Sequence, residues 1–253
     1  MTAKDITDRR AVFVADPFML KEEGIWYMFF EVLSFWRSKG EIGLATSKDG
    51  FNWSYRQIVL SEPFHLSYPY VFKYNGEFYM IPESYEKKAV RLYKATRFPN
   101  QWEFSANLLL GHDFQDSSIF NYRNKWWLFT CPTLQNNELK LFYAEDLRGP
   151  WLEHARNSVI KDNPYAARCG GRVLVLDNKV IRYAQDDYPV YGRQLCAFEI
   201  TRLTTNEYEE KECPGNPVLK ASGSGWNKSG MHNIDPHFLG QERWFACVDG
   251  NDR

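Results

Sequence analysis

The sequence carries almost no net charge. Its 31 Lys and Arg are balanced by 32 Asp and Glu, a formal charge of −1. No broad basic field exists to hold nucleic acid or an anionic membrane surface. No apolar run approaches the roughly 20 residues that cross a bilayer. Residues Met1 to Arg10 are polar and lack the apolar centre of a signal peptide. Neither nucleic-acid binding nor membrane insertion is expected. Cysteine is scarce: Cys131, Cys169, Cys196, Cys213 and Cys247, with no Cys-x-x-Cys spacing. That excludes a zinc ribbon or a disulfide frame and favours reduced thiols in a cytoplasmic protein. There is no glycine-rich phosphate loop, no His-Glu-x-x-His pair and no Gly-x-Ser-x-Gly elbow. His232 and His237 stand five apart across a strand start, a poor metal pair. No metal or cofactor is expected, although a structural ion in a central channel is left open.

Helical periodicity is nearly missing as well. What is present is aromatic: 17% Phe, Trp and Tyr within a 44% hydrophobic fraction, too much for a disordered chain. Segments rich in Val, Ile, Phe, Tyr and Trp alternate with turn residues, the pattern of strands. One unit recurs. Ala15-Asp16-Pro17-Phe18-Met19-Leu20 and Ile25-Trp26-Tyr27-Met28-Phe29-Phe30-Glu31 read as two strands around a turn at Gly24. Gly76, Asn124 and Asn178 match Gly24. Asp16 is matched by Tyr68, Asp116 and Gly170, and Glu31 by Glu83, Cys131 and Gln185. A fifth copy, with a turn taken as one residue shorter, sets Asp235 against Asp16 and Asp249 against Glu31.

The intervals of 52, 48, 54 and 65 residues are near the roughly 40 to 50 of four-stranded propeller blades. The expected fold is therefore all-β: a single five-bladed β-propeller over residues 1–253. Its blades start near residues 15, 67, 115, 169 and 234, and the last either is completed by residues 1–14 or lacks its outer strands. Fourth strands are expected at Ser158 to Ile160 in unit three and at Val218 to Lys220 in unit four. A Gly/Ser stretch, Ala221 to Gly225, reads equally as a connector or as a loop over the cavity.

In a hairpin, the start of one strand and the end of the next share an edge. Asp16 and Glu31 then lie on one face of the disk, joined by Glu83, Asp116, Gln185, Asp235 and Asp249. First strands line the axis of a propeller, so Asp16, Asp116 and Asp235 are expected to point into one funnel. Converging carboxyls with aromatic walls suit glycosidic-bond chemistry, in which one group donates a proton and another activates the attacking hydroxyl. Mutual repulsion and burial separate their pKa values. Trp36, Phe35, Tyr68, Tyr85 and Tyr188 are candidate rim aromatics. Arg168 and Arg172, flanking Cys169-Gly170-Gly171, suit an acidic ligand or ion pairs with the opposite carboxylates. Gln185, Asp186 and His232 are further candidate substrate contacts.

These residues carry a resemblance. Ala15-Asp16-Pro17-Phe18 with Asp116-Ser117-Ser118-Ile119-Phe120 resembles the five-bladed propeller glycosidases of glycoside hydrolase family 43 and their fructan-cleaving relatives. The set Leu66 to Phe72, Tyr79 to Ser84 and Trp244 to Gly250 is more closely similar to the N-terminal domain of plant glucosamine inositolphosphorylceramide transferases and its bacterial single-domain relatives. The first resemblance implies a hydrolase with Asp16 as general base and Asp116 tuning the acid. The family's glutamic acid would fall at Gly170, so Glu83 is assigned the proton donor's place. The second implies a domain found with glycan-building proteins.

The expected function is a carbohydrate-active enzyme that cleaves or transfers a glycosidic bond. The alternatives are a propeller that binds a glycan or nucleotide sugar without chemistry, and a protein-interaction scaffold.

Overall fold

The structure is a computed structural model and describes residues 1–177 and 179–252. Blade one comprises β1 (Ala11–Glu22), β2 (Ile25–Ser34), β3 (Lys39–Ser47) and β4 (Ser54–Leu60). Blade two comprises β5 (Ser67–Tyr74), β6 (Glu77–Glu83), β7 (Ala89–Arg97) and β8 (Gln101–Leu110). Blade three comprises β9 (Gln115–Tyr122), β10 (Lys125–Cys131), β11 (Lys140–Ala144) and the short β12 (Leu152–Glu153). In blade four β13 (Leu174–Leu176), β14 (Lys179–Asp186), β15 (Gln194–Leu203) and β16 (Tyr208–Glu212) run in order, with β17 (Leu219–Lys220) also on β15. A hairpin, β18 (Ile234–Phe238) and β19 (Trp244–Val248), follows. Neighbouring strands within each sheet are antiparallel.

The repeat explains these elements. Gly24, Gly76 and Asn124 all turn through positive φ (79°, 79° and 60°), the conformation a two-residue hairpin requires. Asn178 lies outside the described residues. The inner strands of blades one to three have stretches buried without alternation, Asp16 to Met19, Ser67 to Phe72 and Gln115 to Phe120, because neighbouring blades cover both faces. Aromatic rings close the seams. Phe18 meets Tyr68 at 4.8 Å, Phe72 meets Trp126 at 5.8 Å, and Trp26 meets Phe245 at 5.0 Å.

Several expectations need correction. The propeller has four blades, not five: the last unit is a hairpin whose two strands pair with each other. Residues 1–14 do not complete it. Ala11 to Val14 belong to β1 and pair with β2. Asp8 accepts hydrogen bonds from Tyr55 and from the Ile58 N–H, and Arg9 pairs with Glu41 at 3.0 Å, so polar contacts also hold the arm on blade one. The outer strand of blade three is Leu152–Glu153, and Ile160 makes only an isolated bridge to Leu139. In blade four Tyr208–Glu212 takes the outer place, and Leu219–Lys220 pairs with β15 further along.

The hairpin nevertheless joins blade four to blade one. Gly171 bridges Ile234 in parallel. Asn233 Nδ2 donates to the Pro17 carbonyl at 2.9 Å. A Cβ on Gly171 would lie 1.8 Å from the Ile234 carbonyl oxygen, so only glycine permits that approach.

Candidate active site

The first strands of blades one to three share a defect. β1 shifts register against β2 between Ala15 and Phe18, β5 against β6 between Ser67 and Tyr70, and β9 against β10 between Gln115 and Ser118. At each bulge a non-glycine residue adopts positive φ: Asp16 at 52°, Tyr68 at 44°, Asp116 at 42°. Left-handed backbone costs about 1–2 kcal/mol at such a residue. Its persistence at one repeat position in three blades points to a site, since bulges re-aim side chains beside functional centres.

Carboxylates hold these bent backbones. Asp16 N–H donates to Asp249 Oδ2 at 3.1 Å, Tyr68 N–H to Asp16 Oδ2 at 3.3 Å, and Asp116 N–H to Glu83 Oε2 at 3.1 Å. Each bond crosses from one sheet to the next. Four acidic residues separated by up to 233 positions thus meet around one rim, all of them buried.

The cations sit between them. Arg168 Nε donates to Asp116 Oδ2 at 2.6 Å and its Nη2 lies 3.7 Å from Glu83 Oε2. Gln185 Nε2 donates to the same Asp116 oxygen at 2.6 Å. His232 places Nδ1 2.9 Å from Asp249 and Nε2 3.4 Å from Asp16. The His232 imidazole is held up to about 10: burial opposes the charge, but Asp249 and Asp16 outweigh it. Asp249 is lowered, because His232 and backbone donors overcome its burial.

The other carboxyls go the opposite way. Burial raises Asp16 to about 7 against the pull of His232. Burial and then Asp116 raise Glu83 to about 8, with Arg168 opposing. Glu31 is raised well above the carboxylate range by burial, then by Asp16 and Glu83. Its Oε1 faces His65 Nε2 at 3.4 Å without forming a hydrogen bond. Buried carboxyls with raised values are the kind of group an acid/base centre uses.

Not every expected residue belongs to this cluster. Asp235 lies deeper. Phe238 pairs with Trp244, which leaves five residues in the turn, whereas Lys21 pairs with Trp26 and leaves four. The fifth turn is therefore longer, not shorter, and the register sets Asn233 opposite Asp249. The Asp235-Pro236 pair imitates Asp16-Pro17 in sequence but stands two residues further along the strand. Asp235 binds Arg172, His237 (2.9 Å) and the Met19 N–H (2.6 Å), and Arg172 reaches the Val71 carbonyl at 2.9 Å. Asp235 and Arg172 thus lock the interior rather than meet a ligand; Asp235 is buried and Arg172 nearly so, and the pairing holds Asp235 below its usual range despite that burial.

Tyr68 is likewise a strut. It is fully buried, and its hydroxyl bonds Ser118 at 2.9 Å and Gly171. Asp186 points away from the funnel to Arg193 and Gln194. Trp36 is 74% exposed and touches Phe35 and Arg10. The Gly/Ser stretch ends in Trp226, which packs on Gly250 beside the rim.

Two contributors were not singled out in the sequence. Tyr191, in the connection between β14 and β15, lies 5.0 Å from the Arg168 guanidinium and 5.6 Å from the His232 ring. The residue is half exposed, so its hydroxyl is open to the funnel mouth. Asn136 accepts from Arg168 Nη1 at 3.1 Å and donates to Asp187 at 2.9 Å. The available signal was the cluster Asp186-Asp187-Tyr188-Pro189-Val190-Tyr191, from which Tyr188 was selected instead.

Asp16, His232 and Asp249 bring one ligand atom each within 4.8 Å of one another, the spacing of a cation cradle. Protonated His232 already supplies positive charge there, so a bound cation would have to displace its proton. Among the described residues no helix is long and apolar enough to cross a membrane.

Fold and site together define a β-propeller with buried acid and base groups around one rim. Solved structures share the fold. The catalytic domain of a Coprinopsis cinerea GH62 α-L-arabinofuranosidase matches with a TM-score of 0.75 at 12% identity, covering 97% of this chain and 86% of that one. A β-1,2-mannobiose phosphorylase from Listeria innocua matches at 0.76 and 13%, covering 99% and 91%. The chain belongs to the family described as glucosamine inositolphosphorylceramide transferase 1, N-terminal, which matches residues 1–251. It is 38% identical over 249 residues to glucosamine inositolphosphorylceramide transferase 1 of Oryza sativa subsp. japonica, covering 94% of this chain and 33% of that protein. The Arabidopsis thaliana protein of the same name is 34% identical over 249 residues, with 94% and 32% covered. The chain thus spans about a third of the length of the curated relatives it matches.

Proposed function

We propose that this domain binds a carbohydrate at the funnel and makes or breaks a glycosidic bond there. Glu83 gives its proton to the glycosidic oxygen as the carbon–oxygen bond breaks. Asp16 takes the proton of the attacking hydroxyl, from water or a sugar acceptor. Asp116, fixed by Arg168 and Gln185, positions the pair, and Tyr191 offers its hydroxyl at the mouth. One observation carries this reading: buried carboxyls from different blades meet on one rim, tied to it by N–H bonds that run from Asp16 to Asp249, from Tyr68 to Asp16 and from Asp116 to Glu83, and burial pushes Asp16 up to about 7 and Glu83 up to about 8. That order leaves Asp16 ionised while Glu83 is still protonated. Its test is turnover of a panel of glycosides and activated sugars by the wild type, Asp16→Asn and Glu83→Gln. Wild-type turnover lost in both variants supports it, and equal turnover by all three removes it.

A second reading is binding without chemistry, as a glycan- or nucleotide-sugar-holding part of glycolipid assembly. Gly170 favours it. A Cβ there would lie 2.1 Å from Leu195 Cδ2, so blade four offers no carboxyl at that place. The relatives' names, which join glucosamine to an inositolphosphorylceramide, suggest sugar-bearing lipid head groups as ligands under either reading. Five free thiols support a reducing, cytoplasmic setting as part of the proposal.

A further inference from the structure

The end of β14 separates two concave surfaces. Successive residues of a strand point to opposite faces. Gln185 reaches Asp116 in the funnel, and Asp187 faces the same way, held by Asn136 at 2.9 Å and by the Gly192 N–H at 2.8 Å. Asp186, between them, faces an open surface groove on the other side, lined also by Tyr165, Tyr188, Arg193 and Gln194.

The groove is a built site. Tyr165 forms one wall, fixed by its hydroxyl on Glu212 and its ring edge on Phe198 at 6.1 Å. Tyr188 forms another and is 67% exposed. Buried Asp186 lies at the base and accepts from Arg193 at 3.2 Å, Gln194 at 2.7 Å and the Tyr188 N–H at 3.2 Å. Arg193 makes these contacts through Nη1 and its side chain is half exposed. Tyrosine faces suit the C–H face of a pyranose, and a fixed guanidinium and amide suit its hydroxyls.

Resting on the carbohydrate reading of the funnel, we propose that this groove is a second carbohydrate subsite that takes a pyranose ring. The connection 187–193 serves both places: Tyr188 lines the groove and Tyr191 the funnel mouth. A hydrogen-bonded path, Asp116 to Arg168 to Asn136 to Asp187, runs from the reacting carboxylates to the strand end beside the groove.

The test uses the full chain and three probes, methyl β-D-glucopyranoside, methyl β-D-galactopyranoside and methyl α-D-mannopyranoside, titrated by saturation-transfer NMR. The variants are Tyr188→Ala, Tyr188→Trp and Asp16→Asn. Support is a glycoside whose binding weakens tenfold or more in Tyr188→Ala, returns in Tyr188→Trp and is kept in Asp16→Asn. Binding lost in Asp16→Asn but unchanged in Tyr188→Ala overturns the subsite and leaves the funnel reading standing. Binding lost in Tyr188→Ala and not restored by Tyr188→Trp assigns the loss to loop structure and overturns the subsite. No binding of any probe overturns it as well, while turnover measured on the glycoside panel still decides the funnel.

Discussion

Glu83 Oε2 accepts the backbone N–H of Asp116 at 3.1 Å. The proposed proton donor is thereby fixed to the left-handed residue of the next blade, where burial and then the neighbouring Asp116 raise its pKa. The expected consequence is a narrow pH–rate profile. Below about pH 7 Asp16 takes up a proton and cannot act as base; above about pH 8 Glu83 loses the proton it must donate. kcat/KM should peak between these values. Glu83→Gln should cost roughly 10²–10⁴-fold and flatten the alkaline limb, and Asp16→Asn should flatten the acid limb. A profile for the wild type that is level from pH 5 to 9 contradicts both assignments.

Arg168 faces Asp116 at 2.6 Å and Glu83 at 3.7 Å with little exposure to solvent. Removing one partner of a buried pair leaves an uncompensated charge and costs about 3–5 kcal/mol. Arg168→Met should lower stability by that order in urea denaturation. It should also move the alkaline limb of the rate profile upward, because the cation that opposes protonation of Glu83 is gone. Arg168→Lys, keeping charge but not the planar fork, should fall between. An Arg168→Met protein as stable as wild type would falsify the ion-pair account.

Gly170 occupies the place where the hydrolase resemblance asks for a glutamic acid. A side chain there runs into Leu195 and the backbone of Ala184 and Gln185. Gly170→Glu should therefore not raise activity. Overpacking and a buried new charge should destabilise by at least about 1–3 kcal/mol, read as a lower denaturation midpoint. A gain in glycosidase turnover from that single change would reverse the assignment of Glu83.

Much of this was legible because the repeat is local. Gly24, Gly76 and Asn124 each declare a hairpin through backbone geometry that few residues adopt, and the strands follow from them. Asp16, Glu83 and Asp116 could be placed on one rim because antiparallel pairing brings strand starts and ends together. Asp235 could not be placed correctly. An Asp-Pro pair looks alike at a bulge and in a regular strand, and only the register, set by the length of the turn 239–243, separates the two. Tyr68 shared the repeat position of Asp16, yet its ring fills the interior because the bulge fixes the backbone without fixing where a long side chain goes. Tyr191 reaches the funnel through a loop path that carries no periodic signal. The hairpin's edge was illegible for the same reason: residues 1–14 look like a spare strand, but Asp8 and Arg9 find their partners on blade one.

The crowded acids should also reverse the usual effect of alkali on stability. Glu31, Asp16 and Glu83 bind protons more tightly folded than unfolded. For such groups the stabilisation is complete below the unfolded pKa, near 4, and is lost as pH rises through the folded value. His232, raised to about 10, has the same sign at higher pH, while Asp249, lowered, loses its contribution only in acid. Stability should therefore fall from about pH 4 to about pH 8, where the unfolded chain has released protons that Asp16 and Glu83 still hold, and go on falling toward pH 10 through His232. Glu31→Gln keeps the neutral shape next to His65, which accepts the Gly40 N–H at Nδ1 and so turns Nε2–H toward residue 31. The variant should match the wild type at about pH 4 and exceed it at pH 9, on the order of 1 kcal/mol for each pKa unit of repulsion relieved. Urea denaturation at the two pH values measures the difference. If Glu31→Gln is no more stable than the wild type at pH 9, the shared acidic rim is not the source of the alkaline loss.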